Sequence, residues 1–462
     1  MVEQMLLSGA GGSYPAFGSS DTLEMLSKGL DAGSGVDAGA FTGGRALTRE
    51  SLDATLVNVL WNQDQAKLYQ RVKKTNIRSV VHQWDLRTDV GATDGVFVDE
   101  TDDGTEATQT ISRQYTQAKY MQTLRKVSLQ AKESDMIEDA IALEKEGGAL
   151  VIIKIIEQTM FNGRSANLAE QFDGLDAQIP ALNVIDLRGA DATAATFEDQ
   201  VNEAAGLIAE NYGQGTTQFS SVPVMRDFQR SLADRIRVPA GPQAYGASPF
   251  AKYPTTFGEL EQLWDVFIRE GGAPVASVLT ASAPATPTVG VPSVGAKTGS
   301  LFAASDVGTY YYQVVGMNKF GDSVASAAQS AAVAAAGDGV TLAVTNGSPA
   351  AVAYKVYRSK KGAADGSDCR YAFTVPVTGS PMNIVDLNTD LPGTSSSYIL
   401  TLDAVYNAIE WLSFIGLMKF DLFSATAAVF PFLMLSYGAL AVKKPQQHVR
   451  IKNISPSNLG WY

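Results

Sequence analysis

The sequence predicts an α+β chain with an all-β sandwich set into it, and three stretches carry that prediction. From 135 to 163, apolar residues recur at helical spacing. From 77 to 132 they alternate at strand spacing around an acidic middle. From about Pro274 to Thr394 the composition turns to Ala, Pro, Thr, Val and Gly, and charges thin out.

The helical stretch is predicted to run from Asp135, an N-cap with Glu138 three residues on, to a left-handed stop at Asn162-Gly163. Ile137, Ile141, Leu150, Ile153, Ile156 and Met160 form its apolar stripe. Asp135, Glu138, Asp139, Glu144 and Glu146 crowd its first half, where the helix dipole favours acids. At about 1.5 Å per residue this is a rod of roughly 42 Å, well beyond the usual helix of about 11–12 residues.

With 462 residues, and about 150 per domain, two to four domains are expected. Hydrophobic residues at 45% and charged residues at 18% are those of a folded protein. A net charge of -12 argues against tight, general nucleic-acid binding, which needs clustered Lys and Arg. The lone Cys369 excludes an internal disulfide and a cysteine-based zinc site. Met1-Val2-Glu3 has no basic start of a signal peptide. The apolar run Ala427–Val442 is too short for a membrane span and contains Pro431.

In chain order, residues 1–45 are rich in Gly, Ser and Ala, and read as an arm that cannot fold alone. A weak helical pattern covers Ser51–Leu68. Ile77–Leu86 reads as a strand with Val80, Trp84 and Leu86 on one face. Thr88–Ser112 has no Lys or Arg, while Asp89, Asp94, Asp99, Glu100, Asp102, Asp103 and Glu106 accumulate there. Arg113–Lys132 alternates again and is basic, with Arg113, Lys119, Arg125, Lys126 and Lys132. The whole is a two-stranded loop with an acidic tip and a basic stem. A hairpin of that length is barely stable by itself, so it points to a partner subunit. Asp99, Glu100, Asp102, Asp103, Arg113, Arg125 and Lys126 are the expected inter-subunit contacts, tip against neighbouring stem.

Beyond the long helix, Phe172-Asp173-Gly174-Leu175 reads as a turn. Thr196 is expected to cap a second helix ending at Tyr212-Gly213, with a third over Val222–Ile236 and strand character over Phe257–Glu270. Tyr310–Val315, Ala351–Arg358 and Arg370–Val377 read as short strands of a sandwich inserted over 281–398. A helix at Leu402–Trp411, an apolar run and a strand over His448–Ile454 close the chain.

No catalytic, cofactor or metal constellation stands out. His82 and His448 lie in distant strands without ligand spacing, and no GxSxG, Walker A or dinucleotide fingerprint is present. Gly290–Thr298 has one residue too many before Lys297 for a phosphate loop. Asp386–Asp390 has calcium-loop spacing, but Leu391 and Pro392 replace the glycine such a loop requires. Asn346-Gly347-Ser348 is a glycosylation sequon only in a secreted chain.

The order of parts is similar to the major capsid proteins of tailed bacteriophages, the HK97-like fold. Phe172-Asp173-Gly174-Leu175 resembles that family's turn after its spine helix. Phe257-Gly258-Glu259 with Trp264-Asp265-Val266-Phe267-Ile268 resembles a strand pair of its axial domain. Phe432–Leu440 with Lys444-Pro445 and His448–Asn453 resembles its closing strand. Gly308–Tyr312, Asn318–Ser323, Tyr354–Arg358 and Asp386–Gly393 make the insert similar to a fibronectin type III or immunoglobulin-like module.

The resemblance implies an N-terminal arm over 1–76, an extended loop over 77–132, and a spine helix with peripheral and axial domains over 133–280. The outward-facing insert follows over 281–398, and 399–462 returns to the axial and peripheral domains. It implies a non-enzymatic shell subunit, without cofactor, forming pentamers and hexamers around double-stranded DNA that it does not read by sequence. Scaffolding, portal and decoration proteins are the implied partners, with no membrane. Assembly is expected in the host bacterial cytoplasm, and the final location in the virion. The alternatives are an encapsulin-like compartment shell, and an extracellular binding protein or hydrolase bearing a fibronectin-like module.

Overall fold

The computed structural model describes residues 63–87, 89–91, 97–101, 106, 108–134, 139–193, 195–232, 252–268, 271–278, 280–424 and 427–462. The expected arm over 1–45, and most of its continuation to 76, lie outside the described residues, as do Asp94, Asp102, Asp103, Asp135 and Glu138.

A short helix α1 (Lys67–Arg71) leads into strand β1 (Lys73–Asn76). Strands β2 (Val81–Arg87) and β3 (Ile111–Gln117) then form a hairpin, antiparallel from Val81↔Gln117 to Arg87↔Ile111. His82, Trp84 and Leu86 alternate inward, so the strand starts later than the pattern from Ile77 suggests and Val80 precedes it. Next come β4 (Lys119–Ser128) and one turn of helix, α2 (Leu129–Glu133), which the Ser128 hydroxyl caps by accepting from Ala131 N at 3.2 Å. Only β2 and β3 belong to the hairpin; β4 leaves it for another sheet.

The long helix is α3 (Ala140–Asn162), 23 residues. Asp139 caps it, its carboxylate accepting from Ile141 N at 2.9 Å. Ile153, Ile156 and Met160 are buried as the spacing predicts, together with Ile152 and Phe161. The expected left-handed stop is corrected: Gly163 is extended, at φ -62 and ψ 140. Glycine is needed there for contact, because a Cβ would lie 2.5 Å from both Thr159 O and Phe172 O. The turn expected at Phe172–Leu175 doubles back across the helix end, and Gly174 N donates to Gly163 O at 2.9 Å.

The body continues with α4 (Leu175–Gln178), β5 (Val184–Asp186), α5 (Ala195–Glu210), β6 (Thr217–Ser220), α6 (Val222–Leu232), β7 (Lys252–Thr255) and β8 (Gly258–Trp264). Helix α5 begins one residue before Thr196, which therefore sits in the first turn and is not its cap. The strand expected over Phe257–Glu270 is shorter, with Phe257 in the β7–β8 turn. The inserted strands are β9 (Thr288–Val289), β10 (Ser293–Ala296), β11 (Gly308–Asn318), β12 (Gly321–Asp322), β13 (Gln329–Val333), β14 (Asp338–Thr345), β15 (Ala353–Arg358), β16 (Arg370–Pro376) and β17 (Met382–Asp386). The chain ends with β18 (Ser395–Leu400), β19 (Ile409–Asp421), β20 (Val429–Val442) and β21 (Val449–Ile454). The helix expected over Leu402–Trp411 is a turn at 404–407, with Asn407 left-handed at φ 46, followed by β19. Its apolar residues serve a strand instead: Trp411 and Leu412 pair with both β1 and β20 and are buried.

The body holds a four-stranded sheet ordered β1–β19–β20–β4 and a six-stranded one ordered β5–β21–β18–β6–β8–β7. Helix α3 bridges them. Its Ile152, Ile156, Met160 and Phe161 share one core with Trp411, Phe432 and Leu440 of the first sheet and Phe219 and Tyr398 of the second. Helices α5 and α6 cover the second sheet, Phe197, Val201 and Phe228 packing with Ile399, Val449 and Ile451.

In the insert, one sheet is β10–β14–β17 with β9 on β14, the other β12–β11–β15–β16 with β13 on β11. Val340, Leu342 and Ile384 of the first share a core with Tyr312, Val314 and Val356 of the second. The downstream edge expected at 398 falls inside β18, which pairs with β6 and β21 of the body. The chain enters and leaves the insert at adjacent points, for a Cβ on Gly271 would lie 2.2 Å from Gly393 Cα.

Candidate functional site

The expected contact residues are placed as follows. Asp99 and Glu100 are exposed on the loop between β2 and β3, and neither makes an ion pair among the described residues. Asp102 and Asp103 lie outside the described residues. Arg113 is in β3, where its Nε donates to Asp85 Oδ1 at 2.9 Å on the facing strand. That hydrogen bond and the guanidinium charge hold the Asp85 carboxyl below its ordinary range. Arg125 and Lys126 are not in the hairpin stem but in β4. There Arg125 Nη1 donates to Glu144 Oε2 of α3 at 3.2 Å, while Lys126 stays exposed, opposite Pro431. Two of the three bases are thus engaged within the chain. The paired part of the hairpin is seven residues long, about 23 Å, a third of what a stem reaching Lys132 would span.

Exposed apolar side chains, which the charge pattern does not reveal, mark the same region more strongly. On the hairpin, Ile111 and Tyr115 are 63% and 73% exposed, and Phe97 on its loop fully so. On α3, Val151 and Ile155 face outward, and at the end of β19 and β20, Met418, Phe420 and Phe423 do the same. Val151 and Ile155 help line a groove of about 1130 Å³, with Tyr120 of β4, Val266, and Phe320 of the insert. Apolar surface of this kind, where it is contiguous, is what protein–protein contacts cover. The signal available in sequence is the hairpin itself: Ile111 and Tyr115 are apolar on the strand face that turns away from the chain.

The motif residues Asp386, His448 and Cys369 are taken up by contacts within the fold. Asp386 Oδ2 accepts from Arg358 Nη1 at 2.6 Å and from Tyr312 OH at 2.9 Å, and Asp386 Oδ1 accepts from Asn388 N at 2.8 Å. This occupies the carboxylate of the calcium-like stretch. His448 is fully buried, its Nδ1 accepting from Thr401 N at 3.3 Å. Cys369 is buried, which pushes its thiol up to about 12. Gly290–Thr298 lies in and around β9 and β10, and no α-helix starts from it; a single 3-10 turn follows at Ala304–Asp306. Among the described residues no group of three or more His, Cys, Asp or Glu could hold a metal ion, and no helix is long and apolar enough to cross a membrane.

The chain matches no family model. It is similar over nearly its full length to curated phage proteins. The major capsid proteins of Staphylococcus phages S25-3 and K are each 24% identical over 459 residues, 93% of this chain and 95% of theirs. A relative from Enterococcus phage phiEF24C is 25% identical over 457 residues, with the same coverage. Among solved structures, that of Mycobacterium phage Bobi overlaps 89% of this chain at a TM-score of 0.47 and 9% identity. The encapsulin of Synechococcus elongatus overlaps 91% at 0.46 and 8%. From end to end, the sequences this chain resembles are those of phage proteins named major capsid protein.

Proposed function

We propose that this chain is the structural, non-enzymatic subunit of an icosahedral bacteriophage capsid with the HK97-like fold. It forms pentamers and hexamers that enclose the viral double-stranded DNA. The observation that carries this reading is collinear similarity to phage major capsid proteins over 93% of the chain and 95% of the relatives. The exposed apolar faces of the hairpin and α3 support it, since a shell subunit needs several interfaces and no active site. In this reading the virion is the final location, scaffolding, portal and decoration proteins are partners, and the insert is an immunoglobulin-like or fibronectin-like module on the outer surface.

The hairpin reaches over a neighbouring subunit, with Asp99, Glu100, Asp102 and Asp103 near that neighbour's bases. Lys126 is the open base of the three, because Arg113 and Arg125 already hold Asp85 and Glu144. Reversing Asp99 and Glu100 to Lys is expected to weaken assembly while the subunit stays folded, and Lys126→Glu to restore part of it. Equal assembly of the reversed tip across a range of salt would mean that packing alone holds the loop. The broader reading is tested by sedimentation of the purified chain, with a scaffolding partner if needed. Sedimentation as capsomers or shells is expected, and a stable monomer under every assembly condition would count against it.

A further inference from the structure

Helix α1 lacks a cap of its own. Its N-cap position is Ala66, which has no side-chain acceptor. Glu157, from the C-terminal half of α3, supplies one across the fold: Oε1 accepts from Leu68 N at 2.7 Å and Oε2 from Tyr69 N at 2.9 Å. These are the second and third amides of α1, the ones a capping residue ordinarily satisfies. Glu157 is fully buried, and so is the carboxyl beside it, Asp265, at the end of β8. Asp265 Oδ1 accepts from Phe267 N at 2.7 Å. The Lys67 backbone amide also acts on this carboxyl, while Oδ2 is buried without a hydrogen bond of good geometry. The two carboxyls lie within hydrogen-bonding reach of each other. Two adjacent buried carboxylates repel, and a proton shared between them removes that repulsion.

We propose that Glu157 and Asp265 form a proton-dependent clasp, closed while they share one proton and opened when both ionise, which holds α1 and the approach to β1 against the long helix.

The charged groups around the pair do not replace that proton. Lys67, on α1, is the nearest cation, but its Nζ lies over the Trp264 ring, 3.4 Å from the centroid, and its attraction reaches Asp265. Arg71 is held by Glu261 of β8, Nη2 to Oε1 at 2.7 Å. The Tyr69 hydroxyl is pushed up by burial and stays neutral. Burial, followed by the charge of Asp265, raises Glu157 well above the ordinary carboxyl range, and burial raises Asp265 too. What opens is specific: α1 packs on α3 through Leu68, and β1 follows within two residues to pair with β19 at the hairpin's root. The clasp therefore sits where the chain passes from α1 to the assembly loop.

The test is amide exchange at Leu68 and Tyr69 in the intact protein, corrected for the intrinsic pH dependence of exchange. In the parent, protection at these two amides should fall by about tenfold per pH unit once the pair titrates, as expected when opening is linked to one proton. Amides of β21 should keep theirs. In Asp265→Asn the side-chain amide can donate to Glu157 without titrating, so protection should stay level. Level protection in the parent between about pH 6 and pH 10, or an equal fall in Asp265→Asn, would overturn the proposal. An infrared spectrum of the parent decides independently of any variant's folding. A protonated buried carboxyl at neutral pH is expected, and its absence would refute the shared proton.

Discussion

At the scale of single residues, burial decides the behaviour of the ionisable groups. His448 has no exposed surface, and desolvation pushes its imidazole from 6.5 down to about 4. A depressed histidine favours the folded state less as pH falls, because the unfolded chain takes up the proton first. The expected loss begins below pH 6.5, is complete near pH 4 and is on the order of 3 kcal/mol. The clasp has the opposite sign: its raised carboxyls stabilise the fold at low pH, and that contribution is lost as pH rises through their folded values. The two therefore have to be separated by difference. Denaturation midpoints measured from pH 7 to pH 4 should fall more steeply in the parent than in His448→Gln. Parallel curves would mean that the histidine is charged in the fold. The sequence shows His448 in a strand but not its burial, which depends on β21 lying inside a six-stranded sheet assembled from distant segments.

At the scale of elements, the end of α3 is fixed by contact and not by backbone twist. A Cβ on Gly174 would stand 2.3 Å from Thr159 O and 2.7 Å from Met160 O, whereas one on Gly147 would meet nothing within 4 Å. Gly174→Ala is expected to destabilise by more than about 2 kcal/mol through the clash. Gly147→Ala should stabilise by about 0.5–1 kcal/mol, the ordinary gain of alanine inside a helix. Thermal melts of the two variants check both, and a neutral Gly174→Ala would show that the crossing can relax. Helix α3 was legible in sequence because its stripe from Ile153 to Met160 is local and periodic. Its terminus was not, because Phe172 and Gly174 close on it through space. The segment before β19 failed for a related reason. Val405, Ala408 and Trp411 fit a helical spacing, but β1 and β20 claim Trp411 for a sheet, and tertiary pairing overrides so short a pattern. The residues expected to make inter-subunit contacts are legible as charges, and the partners they hold within the chain are not. That Arg125 belongs to β4 and holds Glu144 depends on β20 pairing with β4, more than 300 residues away in sequence.

At the scale of the whole molecule, the insert has its own core but is seated on the body. Arg188 donates to Asn388 O at 2.6 Å and Leu301 O at 3.0 Å, and Lys452 Nζ to Thr389 O at 2.9 Å. Where it is cut decides the result. Deletion with closure from Gly272 to Gly393 keeps β18, and should leave a body that folds and assembles. Deletion from Ala281 to Thr401 removes β18 from the six-stranded sheet, separates β6 from β21, and should not fold. Circular dichroism with sedimentation distinguishes the two; if both fail, the body depends on the insert for its stability. In the proposed function, many copies of this chain close into a shell. The most direct measurement is cryo-electron microscopy of the purified chain under assembly conditions, alone or with a scaffolding protein. Closed icosahedral particles with five-fold and six-fold capsomers are expected, the hairpin of each subunit lying over its neighbour. Discrete small oligomers with the hairpin folded back on its own chain would contradict the proposed function.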